Sequence, residues 1–163
     1  MEKKTLTTQL LVQLGLLKEL LILTEQETSE LSDIHLDAMT EINTRKADVA
    51  ARIEAHADPL RSAIAAVAAR EGLPAGSSLG EVADSLTRKG NKEVSRLYEE
   101  LHQVAQRIRQ VLEINREVAE RFTASVSSSL ELLTRLVNQS SIYGSGGGYQ
   151  QRPAGSVMIN REA

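Results

Sequence analysis

The chain has 163 residues, 41% of them hydrophobic, which is enough for one domain with a real core; aromatics make up only 2% and Trp is absent, so that core has to be built from Leu, Ile, Val and Ala, as in helix bundles. No cysteine is present, which excludes disulfides and thiolate metal sites and fits a reducing compartment. A net charge of −3 with almost no stacking aromatics argues against nucleic acid as a partner, and the charge balance (eight Lys/Arg to twelve Asp/Glu over residues 1–72, nine of each over 73–138) makes acidic substrates and anionic membranes poor partners too.

The spacing predicts a first helix from about Thr5 to Leu31. Leu6, Leu10, Leu14, Leu17 and Leu21 form one stripe, and Leu11, Leu16, Leu20 and Leu23 widen it until most of the circumference is apolar. Such a helix is either central in a bundle or exposes a binding face. Its most apolar stretch, Leu10 to Leu23, contains Gln13, Gly15, Lys18 and Glu19. That is too short and too interrupted for a bilayer span of about 20 apolar residues. No small-x-small cleavage site follows it, so neither membrane insertion nor a signal peptide is expected and the chain reads as cytosolic.

Ser32 and Asp33 are placed to cap a second helix. Its stripe runs through Met39, Ile42, Lys46, Val49, Ile53, Leu60, Ile64 and Val67, and Asp58-Pro59 has the form of an N-cap and first helical residue, so a kink or restart is expected there. Gly72 and Pro74 should end it. Ser78 and Glu81 have capping-box spacing ahead of Val82, Ala83 and Leu86, predicting a short helix at about 79–87 that Gly90 stops.

Asn91 can cap a long helix reaching about Asn138, roughly 70 Å at the α-helical rise. Leu97, Leu101, Val104, Ile108, Val111, Asn115, Val118 and Phe122 alternate four and three residues apart, a heptad seam that must press on other helices. Beyond Phe122 the stripe moves to Val126, Leu130, Leu133 and Val137, with a stutter beside Ser127, Ser128 and Ser129 that makes this end the softer one. From Gln139 the pattern stops, and Gly144, Gly146, Gly147, Gly148, Pro153 and Gly155 predict a flexible tail.

Signs of chemistry are lacking. Glu99 and His102 make a Glu-x-x-His pair, but a di-iron bundle needs a second copy and two more core carboxylates, and the register turns this pair to solvent. His35 and His56 are isolated from other ligand types. The glycines at 144–148 follow a helix, not a strand, and no Lys-Ser/Thr follows them, so they read as a linker and not a phosphate loop. The chain is not expected to be an enzyme or to hold a metal or cofactor. Two polar residues interrupt the seams: Asn115 is either a register-fixing or partner-contacting amide or a hydrogen-bonded core Asn, and Lys46 should run its stem over the core and keep its ammonium in water. Tyr143, at the exit of the long helix, is a candidate short-motif anchor for a partner pocket; Tyr149 is a weaker one.

Several segments resemble a known family together. They are the leucine-rich first helix followed by Asp33-Ile34-His35-Leu36, Asn43-Thr44-Arg45-Lys46, Ile114-Asn115-Arg116, Ile142-Tyr143-Gly144-Ser145-Gly146-Gly147, and the end Val157-Met158-Ile159-Asn160-Arg161-Glu162-Ala163. Over nearly its whole length the chain resembles the FlgN-like flagellar export chaperones. It departs from them after Arg116, where Glu117 and Val118 replace the second Asn and the Gly that members often carry. The resemblance implies a cytosolic chaperone of hook-associated (hook-filament junction) proteins that covers their terminal helices and delivers them to the flagellar type III export gate. It associates the C-terminal amphipathic helix with substrate binding and a tail tyrosine, by position Tyr143, with the gate.

The expectation is therefore an all-α, elongated antiparallel three-helix bundle or coiled coil over residues 1–138, with a short extra helix and a flexible tail over 139–163. Phe122, Val126, Leu130, Leu133 and Val137 are the candidate substrate-binding residues and Tyr143 the candidate gate-docking residue. Two alternatives stand beside this: these stripe residues pack on the first helix of the same chain, or the chain is a coiled-coil adaptor that homo-oligomerises and has no part in export.

Overall fold

The computed structural model describes residues 2–140, with side chains through residue 137. These residues are all helical apart from short turns. α1 spans Glu2–Asp33, α2 Leu36–Glu71, α3 Leu79–Arg88 and α4 Glu93–Ser140. They fall into two units, one up to Ala119 and one from Glu120 onward.

Cross-helix pairs set the topology of the first unit. Glu2 meets Arg70, the Gln9 carbonyl meets His56, Glu19 meets Arg52 and Glu27 meets Lys46, so α2 runs antiparallel to α1. Lys18 meets Glu100, Glu25 meets Arg107 and Thr28 meets Asn115, so α4 runs parallel to α1. The result is the expected up-down-up arrangement of three long helices. α3 closes the end where α2 gives way to α4. Its Val82, Ala83 and Leu86 are buried among Leu6 and Leu10 of α1, Val67 of α2, and Val94 and Leu97 of α4. Each fully buried Leu or Val contributes about 1.5–3 kcal/mol. A ten-residue helix would not persist in water alone, so this burial is what holds α3.

The ends of α3 follow the sequence closely. Ser78 Oγ accepts the Glu81 N–H, and the Glu81 carboxylate accepts the Ser78 N–H at 2.7 Å, a complete capping box. The Ser78 N–H, and after it the Ser78 hydroxyl donating to the same oxygen at 2.9 Å, hold the Glu81 carboxyl below its ordinary pKa. Gly90, at φ +85°, turns the chain out of α3. Asn91 Oδ1 then accepts the Glu93 N–H at the start of α4. Gly72 ends α2 in the same left-handed conformation, with the Leu73 N–H returning to the Ala68 carbonyl.

Two expectations about α2 are corrected. Ser32 and Asp33 do not cap it; they form the last turn of α1, where Ser32 Oγ donates back to the Thr28 carbonyl. The turn falls instead on Ile34, at φ +58°, with the His35 N–H bonding the Glu30 carbonyl in the manner of a helix-terminating glycine motif. Isoleucine is disfavoured there because its Cβ crowds the backbone. Ile34 is half exposed, so Ile34→Gly forfeits little burial and should raise stability by about 1 kcal/mol, read as a higher urea midpoint. Of the kink or restart expected at Pro59, the restart does not occur, since Pro59 lies inside a continuous helix. Proline forfeits one backbone bond, at about 3 kcal/mol. Val49 and Ile53 before it, and Ala63 and Val67 after it, pack into the core and offset that loss.

On length and composition alone, α1 is apolar enough to cross a membrane, which the shorter Leu10–Leu23 stretch did not suggest. In the structure its Leu6, Leu10, Leu14, Leu16 and Leu23 are buried in the bundle, while Leu11, Val12 and Ile22 remain on the surface.

Glu71, at the end of α2, is the most enclosed carboxylate among the ion pairs. Its side chain is 4% exposed, with Lys89 Nζ 2.6 Å from Oε2 and Lys3 Nζ 3.1 Å from Oε1. Lys89 first, then Lys3, hold its pKa below the ordinary value. A carboxyl depressed on folding stabilises the fold above its unfolded pKa, about 4.3, and that contribution is lost as pH falls through the lower folded value. The thermal midpoint should therefore drop on acidification below about pH 4.3. Glu71→Gln should lower the midpoint at pH 7 and flatten that acid limb. An unchanged limb in the variant would assign the acid sensitivity to other carboxylates.

Candidate functional site

The second unit is, among the described residues, a single helical segment, the C-terminal part of α4. Along this segment the stripe is exposed. Phe122 is 39% exposed, Val126 40%, Leu130 56%, Leu133 57% and Val137 65%. At 100° per residue these five positions fall within an arc of about 80°. They form one face about 22 Å long. Burial along the seam ends with Asn115 and the partly covered Val118, so the seam and its continuation have different fates.

Leu132 and Leu136, also more than half exposed, widen the face to an arc of about 160°. Sequence reading at strict heptad positions passed over them. The signal was there: they are one helical turn apart and flank Leu133 and Val137. The hydroxyls of this segment do not interrupt its apolar character. Ser128, Ser129 and Thr134 each donate back to the carbonyl four residues earlier. Glu131 and Arg135 pair with each other on the opposite side of the helix. The face can make dispersion and hydrophobic contact with a long apolar partner, and it carries no group suited to acid, base or nucleophile chemistry. Tyr143 lies outside the described residues.

The polar residues of the seams come together in the first unit. Asn115, buried, donates from Nδ2 to the Thr24 carbonyl at 3.0 Å and to Glu27 Oε2 at 2.8 Å, and its Oδ1 accepts from Thr28 Oγ1 at 2.6 Å. Lys46 Nζ reaches the same Glu27 oxygen at 2.8 Å. Lys46 does not leave its ammonium to water alone, as the sequence suggested; it pairs with Glu27 while its side chain stays 20% exposed, and closes a clasp joining α1, α2 and α4. Of the two readings of Asn115, this is the hydrogen-bonded core amide. Glu99 and His102 are exposed, as the seam register requires, and no group of three or more metal-ligating side chains occurs among the described residues.

A helical bundle together with an exposed apolar helix face is suited to a protein that holds other proteins. The family model described as FlgN protein matches residues 1–151, and the chain belongs to that family. It is accordingly a flagellar chaperone and not an enzyme. No curated protein and no solved structure gives a match.

Proposed function

We propose that this chaperone acts in the cytosol on hook-associated (hook-filament junction) proteins, holding their terminal helices against α4 and delivering them to the flagellar type III export gate. The observation that carries this reading is the exposed face of Phe122, Val126, Leu130, Leu133 and Val137. A foreign amphipathic helix laid along it would bury these side chains, in the helix-in-groove manner. Leu132 and Leu136 broaden the contact. Covering a polymerisation helix in this way would keep the substrate monomeric until export. Tyr143, three positions after Ser140 in the sequence, is the proposed anchor for the gate, since an aromatic side chain can fill a partner pocket.

Calorimetric titration with purified junction proteins tests the reading. Full-length substrate should bind saturably, and substrate lacking its terminal helices should not. If the chain instead forms a saturated homo-oligomer by light scattering and ignores junction proteins, the exposed face closes on itself and the protein is an adaptor.

A further inference from the structure

An open apolar face of this size is an association liability for a free chaperone, because patches beyond a few hundred Å² attract whatever apolar surface is nearest. The sequence that follows holds a candidate cover. After Ser140 come sixteen residues, 141–156, that include five glycines, and then the apolar triplet Val157-Met158-Ile159. A Gly-rich chain of that length has a root-mean-square span of about 20–24 Å. From the end of α4, Leu130 lies about 15 Å back along the helix and Phe122 about 27 Å. The triplet is thus at nearly the best tether length for the middle of the face.

We propose that Val157, Met158 and Ile159 fold back onto the Phe122–Leu133 face of their own chain and cover it until a partner helix displaces them. Three apolar side chains bind weakly by themselves. A short tether raises their effective concentration to the millimolar range, which a second copy at cellular concentration does not match. Val and Ile flanking Met present a compact apolar surface without a charge, and the charges of Arg161 and Glu162 follow it. The tail then acts as a built-in competitor that a longer substrate helix outbinds. The docking stands independently of the substrate; its role in release rests on the groove proposed above.

The absence of cysteine permits a clean test on the full chain. A nitroxide on Ser156→Cys should broaden the backbone amides of residues 122–133, and Val157→Asp with Ile159→Asp should remove that broadening. Broadening confined to the last turn of α4, or unchanged by the Asp pair, overturns the proposal. So does broadening that persists between labelled and isotope-enriched chains mixed one to one, which would place a second copy on the face. Releasing the tail should tighten junction-protein binding about three- to tenfold, as expected if a tenth to a third of the free chain is uncovered. Equal affinity of both chains overturns the competition. If neither chain binds the junction protein, the groove reading fails, while the label still decides whether the tail docks.

Discussion

Replacing Val126 and Leu133 together by Asp should abolish junction-protein binding while leaving the helical circular dichroism of the chain nearly unchanged. In a complex each side chain would pass from half-exposed to buried, a gain of about 1–2 kcal/mol apiece. An aspartate there forfeits that gain and adds a desolvated charge to an apolar interface. Together these terms exceed about 4 kcal/mol, a loss of roughly a thousandfold in affinity. In the free chain Val126 is 40% and Leu133 57% exposed, and neither belongs to the buried core. The effect of the substitutions there is limited to helix propensity, a few tenths of a kcal/mol each. Ser128→Asp, on the other side of the helix, is the control and should leave affinity within about twofold. Collapse of helicity in the double variant, or full binding by it, would remove residues 122–137 from the binding site.

The clasp of Glu27, Lys46 and Asn115 should show the opposite pattern, a large effect on stability from one substitution and recovery from a second. The Glu27 and Lys46 side chains are 12% and 20% exposed. Glu27→Met leaves the ammonium without its partner in that half-buried place and takes one acceptor from the Asn115 amide. The expected loss is about 2–3 kcal/mol by urea denaturation, below the range for a fully buried pair because Lys46 keeps some water. Adding Lys46→Met should recover most of it, since two apolar groups of similar length fill the same space without a charge to desolvate. The coupling measured by the double-mutant cycle is then large and positive. Additive losses would mean that the two charges act separately and that the clasp is incidental to the packing of α1 on α2.

Much of this was legible in the chain, for identifiable reasons. α3 was found to within a residue because its start is written in four consecutive positions, Ser78 to Glu81, and its stop in one glycine. The inward set of α4, from Leu97 to Asn115, followed from period alone, since a seam must face something. The candidate site was half visible. Its five stripe residues were named from spacing, while Leu132 and Leu136 were passed over because heptad reading describes a narrow seam and an unpacked helix face is wider. The family resemblance seen in short segments agrees with the family match over residues 1–151.

What the sequence determined by itself was everything carried by local period and by side chain-to-backbone chemistry: four helices, no cysteine chemistry, the caps at Ser78 and Asn91, and the left-handed exits at Gly72 and Gly90. Only the tertiary structure decided which stripes are buried. The same four-and-three spacing is buried at Ile108 and Val111 and open at Leu130 and Leu133, because period reports that a helix has a face and says nothing of whether another element reaches it. The tertiary structure also carried α2 through Pro59 and gave Lys46 a carboxylate in place of water. In both cases the deciding energy comes from groups distant in the chain, the packed residues flanking the proline and Glu27 nineteen positions before the lysine, whose approach no local pattern encodes.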